Sequence, residues 1–193
     1  RVVKILNFGD LYGMGKDKKA AGMQTDVETV YRLDRIKRKA FPGVAKLVNR
    51  VKSNGQAGQP VREWGGGLIY CEPPKVVEDP KREGHTFVKR FDYKMFNYLI
   101  QRSAASCTKQ AIIDYDERKE HGRFLVSVHD ENNITVAPEH AKSELRVLRD
   151  VMSNVESRTS GKFSVPMYSD PKWGWNWGSL EKVTEEVHYP EVA

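Results

Sequence analysis

Three ionisable residues, His129, Asp130 and Glu131, stand together in "FLVSVHDENNITVAP" (124–138), between two runs of apolar residues. Phe124, Val126 and Val128 alternate with Leu125 and Ser127, and "ITVAP" returns. The stretch therefore predicts a β-hairpin with "HDENN" as its turn, Asn132 and Asn133 being the residues that tolerate positive φ. The predicted tip carries Asp130 and Glu131. Adjacent carboxylates repel each other, and holding them at the end of a buried strand calls for a compensating cation or metal. A solvated acidic turn has the same sequence, and the tripeptide alone does not separate the two.

Two further groups of residues have spacing that suits chemistry. In "RVVKILNFGDLYGMGKDKK", Arg1, Lys4, Phe8 and Tyr12 recur at intervals of three, four and four, one stripe of an α-helix that Gly13 and Gly15 end. The stripe is cationic at one end and aromatic at the other, and spans roughly 16 Å at 1.5 Å per residue. Cations so placed can hold phosphates while the rings cover a base or sugar. An ordinary amphipathic helix with snorkelling cations fits the same spacing and is the commoner arrangement. Asn97 and Gln101 lie one turn apart in a stretch from Phe91 to about Arg118 that lacks Gly and Pro. Their amides can reach minor-groove acceptors, or be plain helix-surface amides.

The elements that must position these residues follow from pattern. Met95, Phe96, Leu99, Ile100, Ala104, Ala105, Ala111, Ile112 and Tyr115 keep helical spacing and predict one long helix buried along one side. Upstream, Thr25 or Asp26 caps a helix to about Lys39. Phe41, Pro42 and Gly43 break it before a second helix ending near Asn54 and Gly55. The many Lys and Arg of this helical hairpin are expected to form a solvated face. "PVREWGGGLIYCEPPKVVEDPKREGHTF" reads as a short strand pair followed by an exposed loop. A helix is expected from about Glu139 to Val155 with Leu145, Leu148, Val151 and Met152 inward, then a strand, a turn and a tryptophan cluster read as core packing. The final "VTEEVHYPEVA" is expected to fray.

Composition bounds the function. No window approaches the roughly 20 apolar residues of a spanning helix, so a soluble chain with no membrane partner is expected. A net charge of +6 suits a polyanionic partner. Cys71 and Cys107 are too few for a disulfide framework or a zinc site, which predicts reduced thiols in a cytoplasm-like compartment and makes any metal oxygen-bound. The chain opens on Arg1 inside a helical pattern and reads as cut from something longer.

The order of the motifs is more specific than any one of them: "KILNFGDLYGMG", then "FNYLIQRSAASCTKQAI", then "VSVHDEN", then "WNWG". In this order the chain resembles, over nearly its whole length, the C-terminal polymerase region of family A DNA polymerases (DNA polymerase I-like), those of bacteriophages above all. The resemblance implies an α+β fold, with a helical fingers subdomain over 1–90 and the C-terminal part of the palm over 91–193. It implies that Lys4 binds triphosphate oxygens, that Phe8 stacks near the sugar and discriminates against dideoxynucleotides, and that Tyr12 closes over the nascent pair. It implies that Asn97 and Gln101 contact template and primer, that His129 touches the primer strand, and that Asp130, supported by Glu131, binds catalytic Mg2+. The implied reaction is attack of a primer 3′-hydroxyl on the α-phosphate of a dNTP, in phage DNA replication within the host cytoplasm.

The likeness has gaps. The family's other metal-binding aspartate lies on a palm strand before the fingers helix, so an N-terminal polymerase half supplying that aspartate and the thumb is the expected partner beside primer-template DNA, and the hairpin sheet is expected to keep an open edge. The usual Arg before Lys4 falls upstream of Arg1; Arg102 stands where Gly follows the glutamine; Ser106 replaces an Asp; Gly67 stands where an Arg is usual. The main alternative is a degenerate module that holds primer-template without chemistry. A metal-dependent nuclease would need more clustered acids than the sequence offers.

Overall fold

The structure, a computed structural model, describes residues 2–80 and 82–183. Arg1 and all of the expected frayed extension but Val183 lie outside them. Among the described residues the chain is α+β, as expected: six α-helices and five separate two-stranded antiparallel sheets. It divides into two compact units, Arg1–Glu63 with Gly67–Gln101, and Trp64–Gly66 with Arg102–Ala193.

The first unit begins with α1 (Val2–Leu11), α2 (Lys16–Met23), α3 (Val27–Ala40) and α4 (Pro42–Gln56). Asp26 caps α3, its carboxylate accepting the Thr29 amide at 2.6 Å. That bond and one from the Thr29 hydroxyl hold its carboxyl below the usual aspartate range. Lys37, Arg38 and Lys39 fill the last turn of α3, where cations complement the helix dipole, and Pro42 starts α4 at a position that needs no donor. Helix α2 was not expected. It is only two turns long and carries Gly22, so its period is faint, but Ala20, Met23 and Val30 make a small core with Ile5, Leu6, Val27 and Leu33 around it.

β1 (Val61–Arg62) pairs with β2 (Leu68–Ile69), as expected, but the predicted exposed loop is a second hairpin, β3 (Lys75–Glu78) with β4 (Thr86–Lys89). Its alternation was masked because Val76 and Val88 face solvent rather than a core. A 3₁₀ turn, Asp92–Lys94, leads into α5 (Met95–Arg118). Met95, Phe96 and Leu99 close the larger core of this unit with Val51 and Ile69.

In the second unit Ala111 and Tyr115 of α5 pack on Leu148 and Val151 of α6 (Ala141–Ser153). The buried stripe of α5 is narrower than expected: Ile100, Ala104 and Ala105 are exposed. They lie on the side that carries Gln101, and a helix of this length cannot turn both apolar rows inward.

The hairpin β5 (Arg123–Val128) and β6 (Glu131–Thr135) is present, with a bulge at Leu125. Ile134 packs on the α5–α6 core and fixes the register. That register corrects the turn. Asn132 and Asn133 belong to β6, opposite Ser127 and Val126, and the turn is His129–Asp130, with positive φ (+56°) at His129. Moving the turn to the asparagines would take Ile134 out of the core. Two short ladders complete the unit, β7 (Glu156–Ser157) with β8 (Gly161–Lys162) and β9 (Lys172–Trp173) with β10 (Glu181–Lys182). The tryptophans do not plug a core as expected: Trp175 and Trp177 are exposed, since two-residue strands provide no interior to receive them.

Candidate nucleotide and metal site

Of the expected stripe, Lys4 and Phe8 lie on α1 and Tyr12 in the turn just after it, while Arg1 is outside the described residues. Lys4, Phe8 and Tyr12 are all exposed on one line. The Lys4 ammonium lies 5.7 Å from the Phe8 ring centre, and the Phe8 and Tyr12 rings are 6.4 Å apart at 30°. The opposite side of α1 is held close to α2 because Gly9 has no Cβ; one placed there would meet the buried Lys19 side chain at 2.9 Å. Lys19 in turn ion-pairs with Asp34 at 3.5 Å, and Lys16 with the same carboxylate. So Lys16 and Lys19 turn to Asp34, while Lys4, like Lys18, is exposed.

Gln101 joins this stripe. Its Nε2 donates to the Tyr12 hydroxyl at 3.2 Å, and both side chains are exposed. Asn97, one turn earlier on α5, is half-buried. Tyr12 is oriented from below by Gly13, whose φ of +64° turns the chain and whose missing Cβ leaves room for the Tyr93 ring. Gly67, where the resemblance leads one to expect an arginine, sits in a tight turn: its amide donates to Glu63 Oε1 at 2.8 Å, and a Cβ would meet that oxygen at 2.9 Å.

His129, Asp130 and Glu131 lie in the second unit, all exposed at the hairpin tip. Glu131 is paired with Val128 across the ladder, so it begins β6 rather than sitting in the turn. Positive φ at His129 is what a two-residue hairpin turn asks of its first residue. The base of the hairpin is fixed by a buried group. Glu144 of α6 accepts the Tyr115 hydroxyl at 2.7 Å and the amides of Glu120 and His121 at 2.9 and 2.7 Å. Burial raises its pKa, but the amide and hydroxyl donors outweigh that and hold the carboxyl below the usual glutamate range; burial first, and then Glu144, drives the Tyr115 hydroxyl well above the usual tyrosine range. Gly122 completes this base, because any Cβ there would collide with the Tyr115 hydroxyl and Glu144 Oε2.

One participant was missed from sequence. The Trp177 indole donates to Glu131 Oε1 at 3.1 Å, presented by a 3₁₀ turn that Asn176 caps. The "WNWG" signal was visible, but reading it as core packing hid this contact. Asp130 and Glu131 offer hard oxygen donors, the type Mg2+ takes. Yet no group of three His, Cys, Asp or Glu able to hold a metal occurs among the described residues. The donor chemistry fits Mg2+. Nor is any helix among the described residues long and apolar enough to cross a membrane.

The chain belongs to DNA polymerase family A, whose profile it matches over residues 1–179. It is 26% identical to DNA polymerase theta of Caenorhabditis elegans over 93% of its own length and 11% of that protein. With the thermostable DNA polymerase I of Thermus aquaticus it shares 24% identity over 94% of this chain and 21% of the relative. The DNA polymerase of Mycobacterium phage D29 is 26% identical over 93% of this chain and 26% of the relative. The chain thus spans about a tenth to a quarter of these relatives. Among solved structures, the POL domain of Pol1 from M. smegmatis, in complex with DNA primer-template and dNTP, superposes with a TM-score of 0.66 at 21% identity, covering 86% of this chain and 28% of that one. That likeness establishes the fold.

Proposed function

We propose that this chain forms the fingers and C-terminal palm parts of a DNA-directed DNA polymerase, with the fingers over 1–90 and the palm part over 91–193. The observation that carries the reading is the α1 stripe: Lys4, Phe8 and Tyr12 exposed in line, with the Tyr12 hydroxyl held by Gln101. Lys4 binds the triphosphate of the incoming dNTP, and Phe8 covers its sugar. Tyr12 closes over the nascent pair, and its bond to Gln101 couples that closure to the helix whose Asn97 and Gln101 follow the primer-template. His129 contacts the primer strand, while Asp130 holds catalytic Mg2+ with Glu131 supporting it. When bound, two such ions favour attack by the primer 3′-hydroxyl and neutralise the leaving pyrophosphate. Because a two-ion site takes more carboxylates than Asp130 and Glu131, in this reading a second polymerase segment provides the remaining aspartate and the thumb, and this chain does not extend primers without it. The kinship with a mycobacteriophage polymerase supports a role in phage DNA replication in the host cytoplasm.

Primer extension tests this. Mixed with a family A segment carrying the thumb and the other palm aspartate, and with Mg2+ and dNTPs, the chain is expected to extend a primed template, and neither part alone to do so. A mixture that binds primed template but never extends it would replace this reading with that of a non-catalytic primer-template binding module.

A further inference from the structure

A groove of about 620 Å³ lies in the second unit between α6 and the segment after β8. Its volume is within the range that accommodates a nucleotide-sized ligand. None of its lining residues belongs to the nucleotide, primer or metal groups described above. Arg146 and Arg149, three apart and therefore neighbours on one face of α6, line it with Lys162. Both arginines are exposed. Lys162 reaches Glu156 only at 3.9 Å, with both side chains exposed, so that pair leaves its charge available. The one carboxylate in the wall, Asp150, is already engaged: Arg118 binds it at 2.7 Å and the Asn154 amide at 2.7 Å. The Arg118 guanidinium is the largest influence holding Asp150 below the usual aspartate range, so it stays paired.

The groove also presents rings. Phe163 is fixed by stacking on Trp64, centroids 5.0 Å apart and planes within 7°. Tyr168, at the rim, is 87% exposed. A cationic wall with aromatic faces is the arrangement that tracks a polynucleotide backbone and stacks its unpaired bases. An acidic peptide would answer the charges but leave the rings unused. We infer that this groove is a second nucleic-acid site, taking single-stranded polynucleotide with its phosphates on Arg146 and Arg149 and a base on Tyr168. It gives the protein a hold on unpaired strand apart from the primer terminus.

Fluorescence anisotropy of a labelled oligothymidylate on the full chain, without primer or dNTP, tests the site independently of any extension activity. Joint replacement Arg146→Glu and Arg149→Glu is expected to weaken binding by more than about tenfold and to lower the salt slope by about 1.4, the loss of two single-strand phosphate contacts. Tyr168→Ala is expected to weaken it about fivefold. Arg146→Lys with Arg149→Lys keeps the charges and most of the affinity. Absence of wild-type binding, unchanged affinity in the charge-reversed chain at an unchanged melting temperature, or equal displacement by polyglutamate would overturn the site.

Discussion

Glu144 and Glu131 are glutamates of the same unit that the fold treats in opposite ways. Glu144 is 2% exposed, and its two oxygens receive a tyrosine hydroxyl and two backbone amides. Glu131 is exposed and receives one indole N–H, and its neighbour Asp130 is exposed beside it. A carboxylate saturated by its own chain is part of the architecture, whereas one with open lone pairs at an exposed tip remains available to a ligand. The first kind holds the hairpin in place; the second is what the hairpin presents.

The sharpest way to break this contrast is at the base. Gly122→Ala drives a methyl into the Tyr115–Glu144 contact and is expected to cost about 3 kcal/mol, measured by denaturant unfolding. Glu144→Gln keeps the shape but turns one acceptor into a donor facing donors, for a loss of about 2 kcal/mol. The pH dependence carries the same signature. Glu144 titrates lower in the folded chain than in the unfolded one, so its stabilisation is complete above the ordinary glutamate pKa of about 4.3 and is lost as pH falls through the lowered folded value. Acid melts of wild type and Glu144→Gln should therefore converge as the pH drops below that range. Tyr115→Phe removes a single donor, and a loss of about 1.5 kcal/mol is expected from the same unfolding curves.

At the tip the expectation reverses. Trp177→Phe removes only an exposed indole contact and should shift stability by under about 0.5 kcal/mol. If instead it destabilises as much as Glu144→Gln, the tip is structural and the contrast fails.

These two carboxylate environments were unequally legible in the sequence. Alternation in "FLVSV" and "ITVAP" was enough to find the hairpin, and its ionisable tip stood out by composition. The turn itself was misplaced, because Asn-Asn has the local preference for positive φ while the register is set by Ile134 reaching a core that only the folded chain assembles. Glu144 gave no signal at all; a glutamate on an amphipathic helix looks solvated until Tyr115 and the loop before Arg123 close over it. On α5 the apolar residues outnumber what one stripe can bury, and the spacing that predicts Ile100, Ala104 and Ala105 inward carries no sign that their face is open. The line of Lys4, Phe8 and Tyr12 was legible from spacing, but the bond from Gln101 to Tyr12 joins residues far apart in the chain and had no sequence counterpart.

The most direct test of the account measures chemistry and stability on the same preparations of the reconstituted polymerase: single-turnover primer extension and thermal melting for wild type and Asp130→Ala. On the proposed metal-binding role of Asp130, its loss should lower the extension rate by about a thousandfold or more while the melting temperature stays that of wild type, because Asp130 is exposed. Extension at the wild-type rate by Asp130→Ala, or a rate loss that only follows unfolding, would contradict the assignment of the hairpin tip to catalysis.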